Sequence, residues 1–257
     1  MQFTDTHCHI HEAQYPLDKS EVVLRAHESA VKRLICVGTD EVSSTEAVHF
    51  VSDKEHMWAS VGLHPHDSVN GVEAIEVLRG LIKHEKKIVA IGECGLDYFY
   101  DHSPREKQLE IFHEQMKLAV EFHLPMIFHV REAFDDFWPI FDSYQLAGQK
   151  IRGVVHSFTD SEDNLQKALD RGLSIGVNGI STFTKSAVQT EMYKSIPLER
   201  LLLETDSPYL TPTPLRGKVN EPAFVTHVAH YIANLQSINL TELSRVTERN
   251  ATHLFSL

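Results

Sequence analysis

Short strand-like runs, many of them dominated by Ile, Val and Leu, recur eight times along the chain, separated for the most part by longer amphipathic stretches. They lie near 2–7, 33–38, 57–62, 88–93, 125–130, 152–157, 173–177 and 200–206. Runs of this length and composition suit strands buried on both faces, as a parallel sheet requires. Residues 106–122 read as the clearest helix, with Leu109, Phe112, Met116, Ala119 and Val120 recurring at three- and four-residue steps. Ser103-Pro104 just before them suits a helix start. Two more helices are expected near 222–235 and 241–254. Eight β runs alternating with helices predict an α/β fold, a (β/α)8 TIM barrel, distorted or regular, forming one domain over 1–257. An open doubly wound sheet is the alternative, but no GxGxxG or GxxxxGKS loop follows a strand to support it.

In a (β/α)8 barrel the active site lies at the C-terminal ends of the strands. Five of the runs end in a metal-ligand type: THCH with His7 and His9, IVAIGE with Glu93, MIFH with His129, GVVH with His156, and LLLETD with Asp206. Alternate side chains of a strand point the same way, so His7 and His9 offer two imidazoles to one point. A single histidine after an apolar run is ordinarily a hydrogen-bonded core residue, and packing does not explain five such endings. Glu93 has two oxygens with which to bridge two metals. His129 and His156 are the natural ligands of the second, and Asp206 can ligate the first and accept a proton from attacking water. Two ions ~3.5–4 Å apart stabilise the attacking and leaving oxygens of an in-line displacement.

A second tier surrounds these residues. His64, in GLHPH, can reach the same pocket. Glu204 lies two residues before Asp206, so a continuing strand turns both inward, as a third metal ligand or as a hydrogen-bond partner of a ligand histidine. Arg131 follows His129 by two residues, and Arg216, Lys218 and Asn220 lie in the loop TPTPLRGKVNEP. All are candidates for substrate phosphates, with a solvated surface as the plain alternative. Tyr98, Phe99 and Phe183 offer rings for stacking, or for packing at the barrel rim.

The net charge of −12 argues against a nucleic-acid binder held by a broad basic surface. It leaves open an enzyme that handles phosphodiesters locally, because bound cations reverse the field in a carboxylate-lined pocket. Three cysteines, Cys8, Cys36 and Cys94, lie in or beside apolar runs and read as reduced thiols of a cytoplasmic protein. No stretch is long enough to span a bilayer, and the N-terminus reads as unprocessed.

The motifs DTHCH, VGLHPH, IGECGLDYFYD, PMIFHVREA, GVVHSFT, LLLETDSPYLTP and LRGKVNEP run in order from Thr4 to Pro222. Together they resemble the TatD family of metal-dependent deoxyribonucleases, within the amidohydrolase-like barrels. The resemblance implies two divalent ions (Mg, Mn, Zn or Fe), one on His7, His9, Glu93 and Asp206 and the other on Glu93, His129 and His156. It implies a phosphate-facing role for His64 and a third metal position at Glu204. It also implies hydrolysis of DNA from the 3′ end, with single strands preferred. Ser157 follows His156 where many relatives carry cysteine, a departure that touches no ligand. Deacylation of D-aminoacyl-tRNA, or other ester or amide cleavage on the same metals, is the second reading. A scaffold without turnover is the third, disfavoured by the complete ligand set.

Overall fold

The computed structural model describes all 257 residues. Eight strands pair side by side in chain order as one sheet. They are β1 (Phe3–Cys8), β2 (Val31–Val37), β3 (Met57–Val61), β4 (Ile88–Asp97), β5 (Met126–Arg131), β6 (Gly153–Val155), β7 (Ser174–Val177) and β8 (Leu201–Leu203). The helices are α1 (Lys19–Glu28), α2 (Glu41–Val51), α3 (Gly71–His84), α4 (Arg105–Phe122), α5 (Phe134–Leu146), α6 (Glu162–Asp170), α7 (Ile180–Phe183), α8 (Ala187–Ser195), α9 (Val225–Leu235) and α10 (Leu240–Phe255). This is the expected (β/α)8 architecture. No helix is long and apolar enough to cross a membrane. Contacts divide the chain into two compact units, Met1–Cys36 with Glu55–Met57 and His156–Leu257, and Val37–Lys54 with Trp58–Val155.

In the first unit β1 pairs with β2, and β7 with β8, all in parallel. Every residue of β1 is buried, Thr4, Asp5, Thr6 and His7 included, so its polar side chains must find partners inside. Thr4 Oγ1 donates to Glu248 Oε1 of α10 (2.6 Å), and Arg33 Nη2 donates to the other oxygen of the same carboxylate (2.8 Å). The strand expected to reach 206 ends at Leu203. Asp206 has φ 58°, in the left-handed region, which a strand cannot contain. The chain beyond β8 nevertheless stays beside β1. Asp206 N–H donates to the His7 carbonyl (2.8 Å), and His9 N–H to the Ser207 carbonyl (2.8 Å).

The second unit carries β3 to β6, again parallel. β4 runs four residues past Glu93, where its run was expected to end, with a register shift between Ile91 and Cys94. Gly95 makes the extension feasible: at φ 142°, an added Cβ would meet the His129 carbonyl oxygen at 2.0 Å. Phe112, Phe128, Phe137 and Phe141 fill the core beneath, all fully buried. α4 starts at Arg105, as Ser103-Pro104 suggested, and stops where His123 turns left-handed at φ 56°. Its inward face is rotated from the expected one. Leu109 and Val120 are only half-buried, while Gln108 and Gln115 point inside.

Candidate metal centre

The first unit gathers His7, His9, His156 and Asp206. His7 Nε2 lies 3.1 Å from His9 Nε2 and 3.6 Å from Asp206 Oδ1, and His9 Nε2 is 3.3 Å from the same oxygen. Ligand atoms bound to one tetrahedral ion at ~2.0–2.2 Å stand roughly 3.4 Å apart. The three atoms are therefore spaced as one cation would hold them. His156 stacks on His7, with ring centroids 4.1 Å apart and planes 16° apart. His7, His156 and Asp206 form a group whose ligand atoms all lie within 4.8 Å of one another. Burial works to raise the Asp206 pKa, but the hydrogen bond to His9 and the neighbouring imidazoles outweigh it and hold it below the ordinary carboxylate value.

The second unit gathers His64, Glu93 and His129. Glu93 Oε1 lies 2.8 Å from His129 Nδ1 and 3.5 Å from His64 Nε2. These three also offer ligand atoms within 4.8 Å of one another. Burial lowers the His64 pKa to about 4 against the pull of Glu93, so at neutral pH the ring is uncharged. Its Nδ1 accepts the His66 N–H (3.2 Å), which fixes the ring and leaves Nε2 towards Glu93. Both clusters thus have the donor set of a divalent metal site.

The second-tier residues take varied places. Glu204 is buried, its Oε1 accepting from Ser157 N–H (2.6 Å) and Asn178 Nδ2 (3.3 Å) and lying 3.5 Å from His156 Nδ1. Gly176 leaves room for it, since an added Cβ would sit 2.3 Å from Glu204 Oε2. Arg131, at the end of β5, is exposed with its guanidinium 3.8 Å over the Phe99 ring. Arg216 is exposed over the Phe183 ring (3.9 Å) and donates to the Thr211 carbonyl (2.8 Å). Asn220 is fully buried, unlike a residue facing solvent. Its amide donates to the Thr205 carbonyl (2.9 Å) and its oxygen accepts Glu221 N–H (3.0 Å), so it ties the loop after β8 to the backbone beneath. Tyr98 is tethered too, its hydroxyl donating to Asp136 Oδ2 (2.7 Å).

Two carboxylates that sequence reasoning passed over support the clusters. Asp97 is 1% exposed. Its Oδ2 faces His129 Nε2 at 2.8 Å and His66 Nε2 at 3.1 Å, an orienting partner that leaves His129 Nδ1 for a metal. Burial tends to raise its pKa, but His129 and backbone N–H donors prevail and hold it well below the carboxylate range. In the first unit, the fully buried Asp5 accepts from Thr205 N–H (2.9 Å) and Thr205 Oγ1 (2.6 Å), one residue before Asp206. Burial pushes its pKa up to about 8 despite those bonds. The period-two rule that singled out His7 and His9 also applies to Asp5, two residues earlier.

The profile of the TatD-related DNase family matches residues 4–256. The chain is 38% identical to YabD, an uncharacterized metal-dependent hydrolase of Bacillus subtilis strain 168, over 254 residues that cover 98% of each protein. It is 34% identical over 251 residues to the 3′-5′ ssDNA/RNA exonuclease TatD of Pantoea ananatis, covering 95% of each. Among solved structures, the TatD homologue YjjV of Escherichia coli K12 matches with a TM-score of 0.92 and 28% identity, covering 99% of this chain and 98% of that one. The profile match over nearly the whole length, the similarity to these relatives and the ligand-rich strand ends lead to one conclusion: the chain belongs to the TatD-related DNase family of metal-dependent hydrolases.

Proposed function

We propose that this chain is a deoxyribonuclease dependent on two divalent ions, removing nucleotides from the 3′ end of DNA and preferring single strands. The observation that carries the reading is the pair of clusters, each joining a carboxylate to two or more imidazoles with ligand-like spacing. His7, His9, Glu93 and Asp206 would hold one ion, and Glu93, His129 and His156 the other. Mg, Mn, Zn and Fe all suit this mixed nitrogen and oxygen set. Glu204 orients His156 and is the ligand on offer for a third ion. Ions held there would stabilise charge on phosphoryl oxygens and make a water more acidic. Asp206, kept ionised at neutral pH, accepts the proton of the attacking water. His64 faces the scissile phosphate, and Arg131 and Arg216 draw the flanking strand inward. With a net charge of −12, the grip must be local. The activity in the name of the Pantoea ananatis relative supports nucleic acid as the substrate class. Three buried, unpaired thiols suit the reducing cytoplasm, where we place the enzyme.

The test is side-by-side turnover of a 5′-labelled single-stranded oligonucleotide and a D-aminoacyl-tRNA, with each metal in turn. A ladder shortening from the 3′ end is expected. Glu93→Ala should lose bound metal and nearly all cleavage while its melting curve stays cooperative. Cleavage of the aminoacyl ester with intact DNA would replace this reading by deacylation. Metal binding without turnover of either substrate would leave a scaffold.

A further inference from the structure

Phe99 and Tyr100 lie two and three residues past the end of β4 and are 50% and 43% exposed. Only one other aromatic, Tyr209, stands among the exposed large hydrophobic side chains. Leaving large rings in water opposes folding, so adjacent exposed rings need a reason. These two are organised. Their planes are 86° apart with centroids at 4.7 Å. The Arg131 guanidinium lies 3.8 Å from the Phe99 centroid and 4.9 Å from that of Tyr100. The His102 ring stacks on Tyr100 at 5.5 Å and 29°. Asp97 Oδ1 accepts both the Phe99 N–H (3.0 Å) and the Tyr100 N–H (3.1 Å), while its Oδ2 faces His129. One buried carboxylate thus fixes the backbone of both rings and the imidazole of a candidate metal ligand.

Resting on the nuclease reading above, we infer that Phe99 and Tyr100 form a stacking platform for an unpaired nucleobase, with Arg131 meeting the phosphate beside it. Every base has a π-face, so such a platform grips any sequence. A base inside a duplex has both faces covered by its neighbours and cannot use it. The pair therefore accounts for a single-strand preference without a strand-separating element. Arg131 serves twice, holding the rings by its flat face and offering N–H donors at its edge. The rigid anchoring through Asp97 matters because a base stacked on a fixed ring places its phosphate at a fixed distance from His129 and Glu93.

The test pairs Phe99→Ala/Tyr100→Ala with a substrate lacking the base. Stacking on an aromatic is worth roughly 5- to 150-fold per base, so the double variant should raise KM on single-stranded DNA by about 10- to 100-fold, with kcat little changed. An oligonucleotide with two abasic residues at its 3′ end should show the same rise with the unaltered enzyme and no further rise with the variant. Phe99→Tyr/Tyr100→Phe should restore normal kinetics. Quenching of 2-aminopurine at the 3′ end should accompany binding to the unaltered protein and vanish with the alanine pair. Equal KM for the two proteins on normal DNA would overturn the platform, as would equal losses on normal and abasic strands. If the unaltered enzyme cleaves no DNA, the nuclease reading fails first and takes the platform with it.

Discussion

Backbone pairing underlies both the His7, His9, His156 and Asp206 cluster and the His64, Glu93 and His129 cluster, where His64 N–H donates to the Thr39 carbonyl (2.7 Å) and Glu93 N–H to the Gly38 carbonyl (2.9 Å). The His64, Glu93 and His129 cluster also depends on a chain of side-chain bonds. In the first, residues 206 and 9 hydrogen-bond across to residues 7 and 207, and Asp5 grips Thr205. In the second, Gln115 clamps Leu63 through both its backbone groups at 2.8 Å, one residue before His64. Gln108 accepts from Asp97 N–H at 2.8 Å and donates to its carbonyl at 2.9 Å, and Asp97 in turn orients His129. Strand-like pairing resists single substitutions because it uses the main chain. A chain of side-chain bonds can be cut at one link. The second cluster should therefore be the more sensitive to changes outside the ligands themselves.

The largest effect is expected within the first cluster, at a ligand. Asp206→Asn keeps the shape and one coordinating oxygen but cannot take a proton. General-base assistance is worth typically ~100- to 10,000-fold, and the single-turnover rate should fall at least that far. Metal content should fall only in part. Rate and occupancy measured on one preparation separate the two roles. A loss merely proportional to metal would make Asp206 a ligand alone, with Glu204 the next candidate for the base.

The two clusters also differ in how far a reader of the sequence can find them. His7 and His9 are legible because period-two alternation needs no tertiary information. His129, His156 and Asp206 are legible because each follows an apolar run, although Asp206 arrives by a left-handed turn and not along a strand. Asp97 is hidden, because β4 extends beyond its apolar run on the strength of Gly95 meeting β5, a contact between distant residues. Gln108 and Gln115 are hidden for a related reason. A polar residue on an amphipathic helix reads as solvent-facing until the backbone groups it satisfies are known. Asn220 shows the reverse error, since a loop sequence does not reveal depth and this side chain is buried.

Cutting a supporting link sharpens the contrast. Asp97→Asn removes the charged acceptor of His129 and should cost about 10- to 100-fold in kcat/KM or metal affinity. The corresponding change in the first unit, Glu204→Gln, keeps an oxygen for Ser157 N–H and should cost less than about 10-fold, since outer-shell effects scale with the bond removed. Metal titrations beside kinetics check both. Glu204→Gln losing as much as Asp97→Asn, with a fall in bound metal, would reassign Glu204 as a ligand and erase the difference between the two supports.

The smallest effect concerns stability in the second unit, where two nearby carboxyls are shifted in opposite directions. Asp97 is held low, while Asp67, three residues past His64, is raised from 3.8 to about 6 by burial and by repulsion from Asp40 and Glu41. A raised carboxyl means that the folded protein binds its proton more tightly than the unfolded chain does. Stability linked to Asp67 is therefore greatest at pH 4 and below, and falls as pH rises from about 4 to about 6. Allowing for solvent screening of this partly exposed group, the loss is about 1–2 kcal/mol. Asp67→Asn removes the charge and should raise the melting temperature by roughly 2–4 °C at pH 8 for each kcal/mol recovered. At pH 4 the two proteins should melt nearly together. An equal gain at both pH values would mean that the variant acts through packing, and that the strain of the buried charge is not what sets the second unit apart.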